Sequence, residues 1–432
     1  MRTDSPTGYR YALTRPGVLN FSAAGLLGRL PIAMNALAIV LLVSNETGSY
    51  AYAGALSALL AVTAGLVSIL SSRVADRIGQ TSVLRVLAIA HSASLVAFTA
   101  SVLADLPRVV QVVLVVAAGA TSPAIGSYVR ARWTHVSVDP SMTRVGFAWE
   151  SILDEAIFTV GPIITTAVAF TVGFGAPLFL AASFVLVGSL WLAAARSSTP
   201  PPHRDNRAST SLWAVVRFPG IPSLVVAALG LGTVFGSVDV GVVAFTAEQG
   251  TGSFAGIVLA TFAATSMVGG ILYGLRDWPG ALHWHPRVAA LTLTLVTIFL
   301  PFATNNVALI SVIALTGFSV APALIGIFTL ASRLVPRRHL TEGLTWTNSG
   351  LAAGFALGSG LAGFVIDSLG PRAGLSLTVL GAIAAATALM NPSLGRASSV
   401  DEATTLDVAA DESMPPMPPV VSWNDDPLPG PH

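Results

Sequence analysis

Long apolar runs separated by short polar segments dominate the chain. A helix crosses the hydrocarbon core of a bilayer with roughly 20 apolar residues, and twelve runs are about that long. We number them spans 1 to 12, and they lie at residues 18–43, 51–71, 82–104, 109–130, 145–171, 174–195, 218–245, 253–275, 287–303, 307–332, 343–367 and 372–390. Because backbone groups in lipid must bond within their own segment, such runs predict helices. The pattern therefore predicts an all-α membrane protein with twelve transmembrane helices.

The distribution of arginine predicts the orientation of the chain in the membrane. All 22 basic residues are arginine. If the N-terminus is cytoplasmic, 19 of them fall in inward segments, Arg108 and Arg372 fall in outward loops, and Arg29 lies within span 1. Because cytoplasmic segments are enriched in arginine, this split predicts a multi-pass protein of the cell inner (plasma) membrane with both termini in the cytoplasm.

Two longer polar segments divide the chain. Residues 196–217 are rich in Ser, Pro and Arg, and residues 391–432 carry seven of the 21 acidic residues together with several prolines. We expect six-helix bundles at 18–195 and 218–390, joined by a cytoplasmic linker at 196–217. We expect a cytoplasmic tail at 1–17 and a disordered cytoplasmic tail at 391–432.

The two halves of the chain repeat each other in sequence. The matches occur in order before span 1, at the start of span 2 and along span 5. They pair Pro16-Gly17 with Pro219-Gly220, Tyr52-Ala53-Gly54 with Phe254-Ala255-Gly256, and Gly146, Trp149 and Gly161 with Gly343, Trp346 and Gly358. Six spans repeated in the same orientation predict two pseudo-symmetric bundles related by an axis along the membrane normal. This arrangement is typical of secondary transporters with a solute site between the halves.

The segment between spans 2 and 3 resembles a motif of the major facilitator superfamily, G-x-x-x-D-R-x-G-R. Asp76, Arg77 and Gly79 match it, whereas Ser72 replaces the first glycine and Gln80 the final basic residue. With the twelve spans and central linker, the chain resembles this superfamily across nearly all of residues 10–390.

The resemblance implies that this segment forms a cytoplasmic gate that docks on the opposite half. The gate residues would be Ser72, Arg73, Asp76, Arg77 and Gly79. A carboxylate is stabilised at a helix N-terminus, so Asp76 is expected to face the start of span 11 near Thr341, with arginines bridging to Glu342. Simple anchoring by positive charge is an alternative that explains the arginines but not Asp76.

Five ionisable residues fall well inside the spans: Arg29, Glu150, Asp154, Glu155 and Asp239. Each charge at a helix centre costs about 2.5–3.5 kcal/mol on insertion scales, so pairing is expected. Rise along spans 1 and 5 places Arg29 and Asp154 at similar depths, which predicts an ion pair with Glu150 within reach. Three acids and one arginine leave carboxylate groups without a full partner, which predicts a proton-coupling or cation-binding site in the cluster of Arg29, Glu150, Asp154 and Glu155. A static polar staple is the alternative.

The superfamily resemblance implies that spans 1, 4, 7 and 10 line the solute cavity, and spans 5 and 11 could contribute. Their polar or aromatic positions are Asn35, Ser122, Trp149, Asp239, Ser319, Trp346 and Asn348. Asp239 could contact a cationic solute or lie at a water-exposed helix end. We expect Pro123 and Pro322 to bend spans 4 and 10. The few charges favour an amphipathic or hydrophobic solute.

Composition excludes several other functions. The absence of cysteine excludes thiolate metal sites and cysteine nucleophiles, and the seven histidines lack ligand spacing. No nucleotide-binding motif and no nucleophile–base pair is visible, so we expect no enzyme activity, catalytic residue, cofactor or metal. The net charge of +1 gives no reason to expect nucleic acid.

The sequence therefore predicts a secondary active transporter that moves a small organic solute by alternating access, with proton-coupled efflux. Expected partners are the small-molecule substrate, protons and the lipid bilayer, and the protein is expected to function as a monomer. Family exporters often carry G-P-x-x-G-G in span 5, but here Gly161-Pro162 is followed by Thr165-Thr166. A proton-coupled symporter for nutrient uptake and a non-transporting sensor or scaffold remain alternatives.

Overall fold

The computed structural model describes residues 9–138, 140–201, 218–276, 278, 281–335 and 340–394. Within these ranges, twelve helices are long and apolar enough to cross a bilayer, and they match spans 1 to 12 in order. They are α1 (Val18–Arg29 and Pro31–Thr47), α2 (Tyr50–Ile78), α3 (Gln80–Leu103), α4 (Arg108–Ala120 and Ile125–Val136), α5 (Pro140–Thr171), α6 (Ala176–Ala194), α7 (Ile221–Glu248), α8 (Ala255–Gly274), α9 (Trp284–Thr297), α10 (Asn306–Leu334), α11 (Leu340–Leu369) and α12 (Pro371–Leu389). The chain is a multi-pass, all-α membrane protein.

The helices form two pseudo-symmetric bundles, α1–α6 and α7–α12, as predicted. Helix α1 packs on α6 where Gly28 faces Gly188, and α7 packs on α12 in the same way where Gly230 faces Gly381. A Cβ at Gly230 would lie 2.6 Å from the carbonyl oxygen of Gly381, so only glycine permits this approach. Lipid tails are as apolar as the helices, and close backbone packing therefore provides much of the attraction between them.

The repeated Pro-Gly pairs begin the two bundles in the same way. Gly17 precedes α1 with φ of 83°, and Gly220 precedes α7 with φ of 94°. Both residues are left-handed, a conformation that glycine adopts without steric cost. The repeat in sequence is therefore also a repeat in backbone conformation.

In each half, a buried arginine donates a hydrogen bond at the C-terminal end of the last helix. The Arg132 guanidinium donates to the carbonyl oxygen of Ala195, just after α6, at 2.7 Å. Arg287 donates to the carbonyl oxygen of Leu389, at the end of α12, at 2.8 Å. The final carbonyl groups of a helix lack partners within it and carry partial negative charge, so both arginines satisfy and stabilise these ends.

The structure adds two local features to the sequence-based expectations. Residues Tyr9–Leu13, expected in the tail, form a short helix whose Ala12 is buried against the first bundle. Helix α4 is interrupted at residues 121–124, around Pro123, whereas α10 continues through Pro322. Residues 1–8, most of the linker (202–217) and the tail from 395 onward lie outside the described residues.

The two halves meet through α2 with α11 and through α5 with α8. Gly54 of α2 packs on the carbonyl group of Ser359 in α11. Gly256 of α8 packs on the carbonyl group of Pro162 in α5, where a Cβ would lie 2.5 Å from the oxygen. These contacts lie toward the membrane side predicted to face outward, which we call the outer side. The repeated glycines of spans 2 and 8 thus form equivalent contacts between the halves.

We expect Gly354→Ala to destabilise the protein, because a Cβ there would overlap the carbonyl oxygen of Leu229 in α7. Overpacking of this kind costs about 1–3 kcal/mol. Gly360→Ala is the matched control on the same helix, since nothing lies within 4 Å of its added Cβ. Thermal unfolding in detergent should show a lower Tm for Gly354→Ala and an equal or higher Tm for Gly360→Ala. Equal values for the two variants would contradict the close α7–α11 contact.

Candidate functional site

A network of buried charges joins α1, α4 and α5 within the first half. Arg29 of α1 is 1% exposed, and its guanidinium forms ion pairs with two acids of α5. One nitrogen pairs with Asp154 at 2.6 Å and the other pairs with Glu150, while Nε donates to the carbonyl oxygen of Gly25. The predicted Arg29–Asp154 ion pair is therefore present, with Glu150 in the same cluster.

Neutral donors complete the environment of Glu150, which is fully buried. Its Oε1 accepts hydrogen bonds from the Ser22 hydroxyl at 2.7 Å and from the Trp133 indole at 2.8 Å. Trp149 in turn donates to the Ser22 hydroxyl at 3.0 Å. Gly146 leaves room for the Trp133 ring, which its added Cβ would overlap. Both oxygens of Glu150 thus have partners, as a buried carboxylate requires.

Asp154 has a second arginine partner. Arg130, in the second segment of α4, donates to its Oδ2 at 2.7 Å. Arg130 is one of the 19 inward-side arginines, and the sequence alone predicts a single cation, Arg29, for Glu150 and Asp154. The structure corrects this count, because two arginines balance these two acids. The interruption of α4 begins a new helical segment at Ile125 that carries Arg130 beside α5.

Glu155 lies on a different face of α5 from this cluster. At about 100° per residue, it falls within about 20° of Pro162 and Thr166, the residues that contact Gly256 of α8. It is half-buried, and no ion pair in the described part of the chain includes it. Glu155 is therefore an uncompensated acid on the face that the first half turns toward the second.

Asp239 of α7 is an acid of the second half that likewise forms no ion pair with a described residue. It lies one helical turn beyond Phe235, which packs on Phe262 of α8, and Gly236, which packs on the carbonyl group of Phe355 in α11. Because helices α8 and α11 contact the first half, the face between them is directed toward that half. Asp239 is half-buried and forms no ion pair with any described residue.

The other predicted solute contacts have different environments. Asn35 in α1 is 9% exposed, and its side-chain oxygen accepts no hydrogen bond from the described residues. Ser122 lies in the interruption of α4, and the Ser319 hydroxyl donates to Leu315 within α10. Trp346 is half-buried and packs against the hydrophobic core, and Asn348 is exposed. Asn35 is thus the neutral member of this set with an unused buried acceptor.

The gate motif, which lies between predicted spans 2 and 3, is mostly helical. Helix α2 continues to Ile78, so Ser72 and exposed Arg77 belong to its last turns, and Gly79 joins it to α3. The side chains of Arg73, Asp76 and Glu342 and the residues 336–339 lie outside the described part of the chain. The docking of the motif on α11 therefore stays a prediction.

Breaking the Arg29 network should be costly. We expect Arg29→Met to lower the free energy of unfolding by about 3–5 kcal/mol, because it leaves Glu150 buried without a cation. Arg130→Met should cost at most about 1 kcal/mol, since the Arg130 side chain is 39% exposed. Thermal unfolding in detergent compares the two variants. Similar losses of Tm in the two variants would show that the burial of Arg29 does not determine its contribution to stability.

Solved transporter structures are similar to this chain across most of its length. A mutant of the nucleoside transporter NupG has a TM-score of 0.72 at 12% sequence identity, over 86% of this chain and 98% of that one. The human organic anion transporter MFSD10 (TETRAN) has a TM-score of 0.60 at 15% identity, over 87% of this chain and 100% of that one. A mutant of the peptide transporter POT in complex with sulfate has a TM-score of 0.67 at 13% identity, over 88% and 95%.

No protein-family model and no curated protein sequence matches the chain. At these levels of identity, similarity between structures shows the fold. The chain therefore has the major facilitator fold that its twelve spans, its internal repeat and the residues 72–80 predict.

Proposed function

We propose that the protein is a secondary active transporter that carries a small organic solute by alternating access and couples this to protons. The observation that carries the proposal is the pair of equivalent contacts between the halves, Gly54 with Ser359 and Gly256 with Pro162. Two pseudo-symmetric bundles joined at one side of the membrane can rock about a site between them. The transport of nucleosides, organic anions and peptides by proteins of similar structure supports transport as the class of function.

Proton coupling is proposed at Glu155, with Asp239 as a second acidic position facing the other half. The network of Arg29, Glu150 and Asp154 is balanced by Arg130 and suits a static role that locks α1, α4 and α5 together. An unpaired carboxyl group inside the membrane takes up a proton or a cation rather than remain charged alone. Binding and release of protons at Glu155 and Asp239 would then accompany the exchange between inward-facing and outward-facing states.

The proposed solute is amphipathic, and export is the proposed direction. The predicted solute-contact positions offer aromatic surface from Trp149 and Trp346, an unused acceptor at Asn35, and the carboxyl group of Asp239. An amphipathic solute enters cells by crossing the lipid unaided, so a protein that moves it is needed for removal. The acids favour solutes that carry a positive charge.

We expect Glu155→Gln and Asp239→Asn each to reduce proton-driven transport at least about tenfold, because an amide cannot bind and release a proton. Everted membrane vesicles that are acidic inside provide the measurement, with ethidium as the amphipathic cation and adenosine as a neutral solute. Asp105→Asn is the matched control, since Asp105 is exposed in the loop between α3 and α4. Wild-type vesicles without proton-dependent accumulation of either compound would argue against export of these solutes. Accumulation in right-side-out vesicles instead would favour the uptake symporter.

Asp154→Asn separates the coupling role from the static role. We expect this variant to lower Tm while transport per folded molecule stays dependent on the proton gradient, because Asp154 is already held by two arginines. The same vesicles, normalised to the amount of folded protein, provide the measurement. Loss of proton dependence in Asp154→Asn would assign coupling to the Arg29 network instead of Glu155.

A further inference from the structure

Asp367, in the last turn of α11, reaches across to the first turn of α2 in the other half. Its Oδ1 accepts a hydrogen bond from the backbone N–H of Tyr50 at 2.8 Å. Its Oδ2 accepts from the backbone N–H of Ala51 at 3.0 Å and from the Ser49 hydroxyl at 2.7 Å. Three donors of one half thus converge on a single carboxyl group of the other.

These contacts satisfy the start of α2. The first N–H groups of a helix have no partner within it and carry partial positive charge, so an acid placed there is stabilising. Within its own half, α2 has Ser49, whose hydroxyl accepts from the Tyr52 N–H at 3.1 Å. The N–H groups of Tyr50 and Ala51 are bound by Asp367. The capping of α2 is therefore complete only when the two halves meet.

The equivalent position in the internal repeat has a different chemistry. With the offset that relates α5 to α11, Asp367 corresponds to Phe170, whose ring packs on Gly252 just before α8. Thr251, the counterpart of Ser49, accepts a hydrogen bond from Asn306 of its own half. One outer contact between the halves is thus charged and directional and the other is apolar, so the fold does not itself require an acid at Asp367.

We infer that Asp367 is a positioning residue that holds the outer gate closed, where the outer gate consists of Asp367, Ser49, Tyr50 and Ala51. The inference rests on the proposed alternating access. When the halves separate at the outer side, the hydrogen bonds between the carboxylate and the two N–H groups are replaced by hydrogen bonds to water. Asp367 therefore shifts the balance between the two states of the transporter without touching the solute.

The absence of cysteine allows a direct test with a single introduced thiol. Ser57 lies on α2 about two turns from Tyr50 on the same face, is 1% exposed, and its hydroxyl has no partner among the described residues. Ser57→Cys should react slowly when a membrane-impermeant maleimide is added to intact cells. Adding Asp367→Asn should raise the labelling rate about fivefold, because the amide loses the negative charge and replaces one of the two accepting oxygens by a donor.

Ser49→Ala removes one donor but leaves both backbone contacts to Asp367, so a smaller increase is expected. Asp105→Asn is the charge-matched control, with an exposed acid on the same outer side, and it should leave the rate unchanged. Glu46→Cys, at an exposed outer position, should label at once and confirms the orientation.

Ser189→Cys distinguishes gate opening from unfolding. Ser189 is fully buried within the first half, so a thiol there should stay unlabelled in the Asp367→Asn background if the protein remains folded. Equal labelling of Ser57→Cys with and without Asp367→Asn would overturn the inference, as would parallel labelling of Ser189→Cys. Because labelling needs no solute, raised labelling without vesicle transport would argue against the proposed export of these solutes and retain the gate. Normal transport with unchanged labelling would support the proposed function and reject the role of Asp367 in the gate.

Discussion

Close approach of helix backbones at glycine is the constraint on which this structure depends. The hydrophobic effect does little to drive helices together within a membrane, so the attraction between them must come from dispersion contacts and polar groups at short range. Gly28 with Gly188 and Gly230 with Gly381 provide such contacts inside the two halves. Gly54 and Gly256 provide them between the halves. The same device therefore builds the rigid bodies and the surface along which they separate.

The buried charges divide into two groups with different consequences. Arg29, Glu150 and Asp154 hold each other within the first half, and their counterparts in α7 and α11 are uncharged residues. Glu155 and Asp239 belong to opposite halves and lie on faces directed toward the partner half, and neither pairs with a cation among the described residues. The first group suits a fixed arrangement, because every atom already has a partner. The second group suits exchange with protons or a charged solute, because neither acid forms an ion pair with a described residue.

Much of the fold follows from the sequence because its signals are local. The lengths of the apolar runs predict the twelve helices, and the rise per residue along spans 1 and 5 predicts that Arg29 and Asp154 lie at a similar depth in the membrane. The position of Arg130 depends on an interruption of α4, which Pro123 suggests but does not locate, and Trp133 enters the network only because Gly146 is small. Asp367 is separated from Ser49 by 318 residues, so no local pattern connects them. The identity of the solute depends on the shape between the halves, which periodicity does not encode.

The carbonyl groups of Pro162 and Ser359 have one more consequence. Each is the surface on which a glycine of the opposite half rests, and every amino acid supplies the same carbonyl. The residue on the carbonyl side of these contacts can therefore be replaced in evolution. Pro162 and Ser359, which occupy equivalent positions in the two repeats, already differ in this way. Only the glycine side is restricted. Because these helices contact each other through main-chain carbonyl groups, their sequences can diverge while the fold is retained. This is consistent with the 12–15% identity to structures of the same fold.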